Sequence, residues 1–195
     1  MQSDELIQDF TEALIESGLR HGIEADLPAR PAGGRWSGEA FIDVMQSVGR
    51  ALDDAHFGLG CTRCPLQAQQ FGVEVMLLSN TLGDALDRYR RFFQIASSEL
   101  SIEIERTATH VHIDLRGPGP EFDPRQFLIE WNSVRILGIS QWLVGASFPT
   151  AEVTFMHKRR LPKAVYASVL GDRVLFEQPS NRISFPIHEL SRRVI

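Results

Sequence analysis

The sequence predicts an α+β fold in which helices pack on a largely antiparallel sheet, with a helical portion at the N-terminus. Three observations carry this. Apolar residues recur at helical spacing in several separate segments, the mark of helices with one buried face. Between residues 101 and 115 the period switches to two, the mark of a strand pair with one buried face. Helical and strand-like segments are mixed along the rest of the chain, and no internal repeat is visible.

The elements follow in order. Leu6, Ile7, Phe10, Ala13 and Leu14 form a helical stripe, with Gly18 as a plausible stop. Residues 27–34 hold two prolines and two glycines and read as a connector. Ser37 is placed to cap a second helix with the stripe Phe41, Val44, Met45, Val48 and Leu52. The first two helices could form a separate lobe. From His56 to Ser79 the pattern weakens, and residues 73–78 suit a short buried strand or a helix equally. Thr81 and Asp84 form a capping pair for a helix carrying Leu82, Ala85, Leu86, Tyr89 and Phe93.

A hairpin comes next. Ile102 and Ile104 alternate with Ser101, Glu103 and Glu105; Val111, Ile113 and Leu115 alternate with His110, His112 and Asp114. Gly117-Pro118-Gly119-Pro120 breaks the chain. Asp123-Pro124 then predicts an N-cap followed by proline at the first helical position, opening a long helix to about Val144. The last third reads as strand at 153–156, helix at 162–170 stopped by Gly171, and strands at 174–176 and 182–185.

Composition bounds the function. A chain of 195 residues suits one domain, or one domain with a helical lobe, and 43% hydrophobic residues are enough for a real core. There is no apolar run of membrane-spanning length, and the acidic, amphipathic segment from Met1 to Ser17 lacks the basic start and apolar stretch of a signal peptide. No membrane partner and a cytoplasmic location are expected. The formal net charge of −5 disfavours DNA binding by this chain itself, because phosphate neutralisation dominates such affinity.

The landmarks taken together resemble a known family. Phe57-Gly58-Leu59, Phe71-Gly72 and the run from Leu78 to Tyr89 are similar to the N-terminal, arabinose-binding-like domain of AraC-type transcription regulators, in the branch that includes ornithine-utilisation and mycobacterial virulence regulators. Val153 to His157, Pro162, Tyr166, Gly171, Val174 with Phe176, Asn181 and Ser184-Phe185-Pro186 continue the match in the same order. These are caps, stops and alternations, so the resemblance implies a fold and a role but no reactive centre. It implies an N-terminal helix and connector at 1–33, an effector-binding and dimerisation domain at 34–190, and the start of a linker at 191–195. It also implies a homodimer. Any DNA contact would come from helix-turn-helix units for which residues 188–195 leave no room. Either a piece of a longer regulator or a stand-alone sensor is expected, and the position of the end favours the former.

Cys61 and Cys64 form a CxxC, but no second ligand pair follows for zinc, and Pro65 with the family pattern suggests a strand and loop rather than a redox helix. The bland reading is two small, partly buried residues. His110 and His112 share one strand face, read as solvated. No G-x-S-x-G elbow, Walker A loop or G-x-G-x-x-G fingerprint is present, so neither an enzyme nor a cofactor is expected.

The aromatic residues on two helices are better candidates. Tyr89, Phe92, Trp131 and Trp142 could line an apolar pocket, with Arg135 and His157 as orienting polar groups. Against this, helical aromatics are more often core, and Arg135 could be a surface residue or a buried partner of Glu130. Arg88, Arg90, Arg91 and the pair Arg159-Arg160 read as a solvated face or an anion site rather than a DNA contact. The leading expectation is a sensor for a small effector, either an amino-acid derivative or a fatty acyl compound, bound between helices and sheet. The rivals are a dimerisation module without a ligand and an enzyme of unrecognised type.

Overall fold

The computed structural model describes residues 3–97 and 99–195; Met1 and Gln2, where the acidic N-terminal segment begins, and Ser98 lie outside the described residues. Helix α1 (Ser3–Arg20) and helix α2 (Gly38–Leu52) pack on each other, and their stripes are buried as their spacing requires: Leu6, Phe10 and Leu14 on one, Phe41, Val44 and Val48 on the other. Ser37 caps α2 by accepting from the Ala40 N–H at 3.1 Å. Gly18 does not stop α1. The helix runs on to Arg20, because Gly18 is a packing position: the chain doubles back and sets Leu27 and Ile23 against its bare α-carbon.

The weakly patterned stretch resolves into a loop at 53–65 and helix α3 (Leu66–Leu77), so the strand-and-loop expectation around Pro65 was wrong: Pro65 caps a helix. A buried carboxylate organises the loop. Asp54 accepts from the backbone N–H groups of His56 at 3.0 Å, Gly58 at 2.8 Å and Cys64 at 2.8 Å. Helix α4 (Leu82–Ala96) packs tightly on α3, and Gly72 makes this possible, since a β-carbon there would sit 2.6 Å from the Phe92 ring. Thr81 caps α4 through the Asp84 N–H at 3.2 Å.

Strands β1 (Ser101–Arg106) and β2 (His110–Arg116) form the expected hairpin. Helix α5 (Phe127–Val144) follows, then β3 (Glu152–Thr154), α6 (Lys163–Leu170), β4 (Val174–Leu175) and β5 (Asn181–Pro186). The five strands lie in the order β1-β2-β5-β3-β4, antiparallel except for the β3–β4 pair. Ile102, Val111, Ile113, Leu115, Ile183 and Phe185 build the buried face. The opposite face is polar and cross-linked: Arg182 holds Asp114 through two hydrogen bonds of 2.7 Å, and His112 lies 2.8 Å from Ser184 Oγ.

Helix α5 is the axis of the molecule. It is buried nearly all round, between β2 and β5 on one side and α1, α4 and α6 on others. Its start differs from the expectation. Pro124 is not the first helical residue; the chain makes a turn first, Gln126 adopts a left-handed conformation with φ 56°, and the helix begins at Phe127. Asp123 still caps it, reaching forward to accept from the Phe127 and Leu128 N–H groups at 2.9 and 2.8 Å. Phe10 meets Phe127 edge-on at 5.0 Å, so the first helices share one continuous core with the sheet. The last residues return to the helices. Leu82 N–H donates to the Arg192 carbonyl at 3.0 Å, Val194 N–H to Asn80 at 3.1 Å, and Ile195 N–H to Leu143 at 2.9 Å.

Candidate functional site

The candidate residues fall in four places. Tyr89 and Trp131 come together with Arg135; Phe92 stacks on Tyr89 but lines a different groove, and His157 and Trp142 each lie elsewhere. Arg135 projects from the middle of α5 toward α3 and α4. Its Nη2 donates to the hydroxyl of Tyr89, and its guanidinium carbon stands 5.8 Å from the centre of the Tyr89 ring. With its amide oxygen turned inward, Gln69 of α3 accepts from the same Nη2 at 3.2 Å. The Nε of Arg135 is buried without a hydrogen-bond partner among the described residues. No carboxylate forms an ion pair with Arg135 among them. The expectation of an Arg135–Glu130 pair is therefore corrected. Five residues along a helix turn a side chain through roughly 140° away from the first, so the two leave α5 on different faces.

This guanidinium borders a cavity of about 300 Å³ between α2, α3, α5 and the loop at Phe57. Met45, Phe57, Leu66 and Trp131 supply apolar walls; Gln46, Arg50 and Gln69 add polar groups at its edge. Trp131 is fixed by rings on three elements, stacking on Phe127 at 6.2 Å and meeting Phe41 and Phe10 edge-on at 5.6 and 6.3 Å. Tyr89 is fully buried, and burial raises its hydroxyl pKa, so it stays protonated. The result is an apolar box with Arg135 on its wall, Arg50 at its edge and no acid lining it, an arrangement suited to holding an anion on an apolar body.

The other candidates are arranged differently. Phe92 stacks on Tyr89 at 6.1 Å and turns its edge toward a groove of about 440 Å³ on the outer side of α3 and α4, where Phe71 and Ile95 are exposed. Trp142 is 61% exposed near the end of α5 and lines none of these cavities. His157 follows β3 and faces a cavity of about 610 Å³ at the end of the sheet. Its Nε2 lies 3.4 Å from Glu130 Oε1, and burial lowers its pKa.

Sequence reasoning missed a buried charge network behind His157. Glu130 accepts from Arg160 Nη2 at 3.1 Å and from the Tyr166 hydroxyl at 3.1 Å. Arg160 also donates from Nη1 to Asp9 of α1 at 2.6 Å, and Asp9 is shared with Arg125 at 2.9 Å. Burial pushes the Glu130 carboxyl up to about 7 despite the pull of Arg160. Arg160 therefore is not part of a solvated face. Asp9, Glu130 and Arg160 lie up to 151 positions apart, and no local pattern could have joined them.

Cys61 is exposed and donates its thiol to Glu99, whereas Cys64 is buried, which raises its pKa. Among the described residues no three His, Cys, Asp or Glu side chains converge as a metal-binding group, and no helix is long and apolar enough to cross a membrane.

Comparison with known proteins gives a family match and a structural likeness. The family model for the N-terminal arabinose-binding domain of AraC transcription regulators matches residues 14–194. Among solved structures, the transcriptional regulator CdpR from Pseudomonas aeruginosa is similar over 94% of this chain and 56% of its own, at 15% sequence identity and a TM-score of 0.45. The chain thus spans just over half the length of that regulator. No curated protein matches it by sequence.

Proposed function

The chain belongs to the family of N-terminal arabinose-binding domains of AraC transcription regulators, and from that premise we propose that it is the effector-sensing, self-associating part of such a regulator, with an effector that places a carboxylate or similar anion on Arg135. The observation that carries this is the half-buried guanidinium bonded only to neutral groups among the described residues. Withdrawing a cation from water without a counter-charge is costly, and a ligand anion would recover that cost through charge-assisted, two-pronged hydrogen bonds.

The cavity narrows the effector class. A volume of about 300 Å³ stands at the small end for ligand sites. It suits a compact molecule better than a long acyl chain. No acid lines it to meet an ammonium group, so an N-blocked amino-acid derivative or a simple aryl carboxylate fits better than a free amino acid. Binding would regulate by favouring one of two arrangements of the helices around α5, since an effector shifts an equilibrium only by its unequal affinity for the two states. No catalytic role is assigned. DNA contact would fall to helix-turn-helix units outside these residues, in the manner of the ornithine-utilisation and mycobacterial virulence branch, and the setting would be cytoplasmic. A second copy of the chain is the proposed partner. Phe71, Leu78 and Ile95, exposed on and beside α3 and α4, support it.

The test is a thermal-shift and calorimetric screen of small carboxylates, with arabinose as the neutral comparison, read also by Trp131 fluorescence. Saturating ligand should raise the melting temperature, and Arg135→Met should abolish the rise. Stabilisation by arabinose but by no carboxylate would refute the anionic assignment. Native mass spectrometry giving only monomer at tens of micromolar chain would refute self-association.

A further inference from the structure

The larger cavity, at the end of the sheet, carries a different charge pattern. It opens where the loop after β2, the first turn of α5 and the segment after β3 meet, and measures about 610 Å³. Arg116, His157, Lys158 and Arg160 line it, together with the neutral donors Gln126 and Asn181, and no Asp or Glu is among its lining residues. Such a gathering of basic side chains is unexpected in a chain of net charge −5.

The four basic groups are not equivalent. Arg160 is already held by Asp9 and Glu130, which leaves its Nε without a partner. The Nδ1 of His157 is 3.1 Å from the Lys158 carbonyl, and its Nε2 has no hydrogen bond. Arg116 and Lys158 are exposed and form no side-chain ion pair among the described residues. Two exposed cations without an ion-pair partner among the described residues therefore line a cavity in which Arg160 Nε and His157 Nε2 also lack a hydrogen bond. Leu115, Ile129 and Met156 provide apolar surface beside them.

We propose that this cavity is a second small-molecule site, distinct from the one at Arg135, for an organic dianion: a phosphate monoester or a dicarboxylate with a short apolar body. Arg116 and Lys158, which both line the cavity, match its two charges. Arg160 Nε and Asn181 add donors, and the apolar wall takes the body. The site does not depend on the reading of Arg135, because the two cavities share no lining residue.

The experiment uses the whole chain, methyl-labelled at methionine, with phenyl phosphate and succinate as probes and phenol and succinamide as neutral controls at constant ionic strength. The Met156 methyl resonance should shift saturably with a dianion and not with its neutral control. Whichever of the two dianions binds more tightly identifies the headgroup source. The double variant Arg116→Ala/Lys158→Ala, at two exposed positions, should weaken binding by at least about tenfold. Arg135→Met should leave it unchanged. No dianion-specific shift at Met156, undiminished binding in the double variant, or loss of binding in Arg135→Met would each overturn the proposal.

Discussion

Two arginines, one projecting from α5 and one bonded to it from outside, are satisfied in opposite ways. Arg160, at the sheet end of α5, is held by the carboxylates of Asp9 and Glu130. Arg135, at the helical side, meets a phenol and an amide. Each keeps a buried Nε without a partner. The first arrangement ties α1, α5 and the segment before α6 into one charge-balanced joint. The second leaves a positive charge with no ion-pair partner among the described residues. On the function proposed above, the difference separates a cation that serves the fold from a cation that awaits an anion, and burial alone would not have distinguished them.

The largest effect expected from breaking this contrast is at Arg160. Arg160→Met removes the counter-charge of two acids, one of them buried, and should destabilise the chain by about 3–5 kcal/mol in urea unfolding. A loss below about 1 kcal/mol would place Arg160 in the same class as Arg135.

Next comes pH. The Glu130 carboxyl rises from 4.5 in the unfolded chain to about 7 in the folded one, so between these values the folded chain holds a proton that the unfolded chain has released. The contribution is complete below 4.5 and is lost as pH rises through about 7. Glu130→Gln keeps the neutral form at every pH. Its melting temperature relative to wild type should therefore climb between pH 5 and pH 8, and a constant difference would contradict the raised pKa. Burial also raises the Asp123 carboxyl, but that group is common to both proteins and cancels in the comparison.

A smaller effect is expected at Tyr89. Tyr89→Phe deletes one hydrogen bond to the Arg135 guanidinium and should cost about 1 kcal/mol of stability, with a larger loss in carboxylate affinity because the guanidinium is no longer aimed. Smallest is Arg135→Met. It removes a charge without a counter-charge and should change stability by less than about 1 kcal/mol in either direction while eliminating effector binding. Severe destabilisation would show that Arg135 is structural after all.

Much of the fold was readable because it is written in local chemistry. Thr81 with Asp84, the alternation from Ile102 to Leu115, and Ser37 before its apolar stripe each specify an element within a few residues. The α3 helix escaped because its apolar residues do not keep to one face: Met76 is buried, while Phe71 and Leu77 are exposed. The start of α5 was misplaced because Asp123 caps it across an intervening turn, which the pair Asp123-Pro124 does not announce. The site was only partly readable. Residue type singled out Tyr89, Trp131 and Arg135, which meet, but equally Trp142, which does not join them. Pairing Arg160 with Asp9 depends on how α1 lies against the rest of the chain, and that is a property of the finished fold.

If Arg135 holds an effector as proposed, the returning C-terminal residues would give that site a mechanical output. Tyr89 and Arg135 sit on α4 and α5, and the hydrogen bonds of residues 192–195 fasten to the front of α4 and the back of α5. The tail thus spans the two helices like a strap across a hinge. If an anion on Arg135 turns one helix against the other, the strap must either travel with it or lose a fastening. A displacement of an ångström or so inside the domain then becomes a change in how the chain's last residues leave its surface.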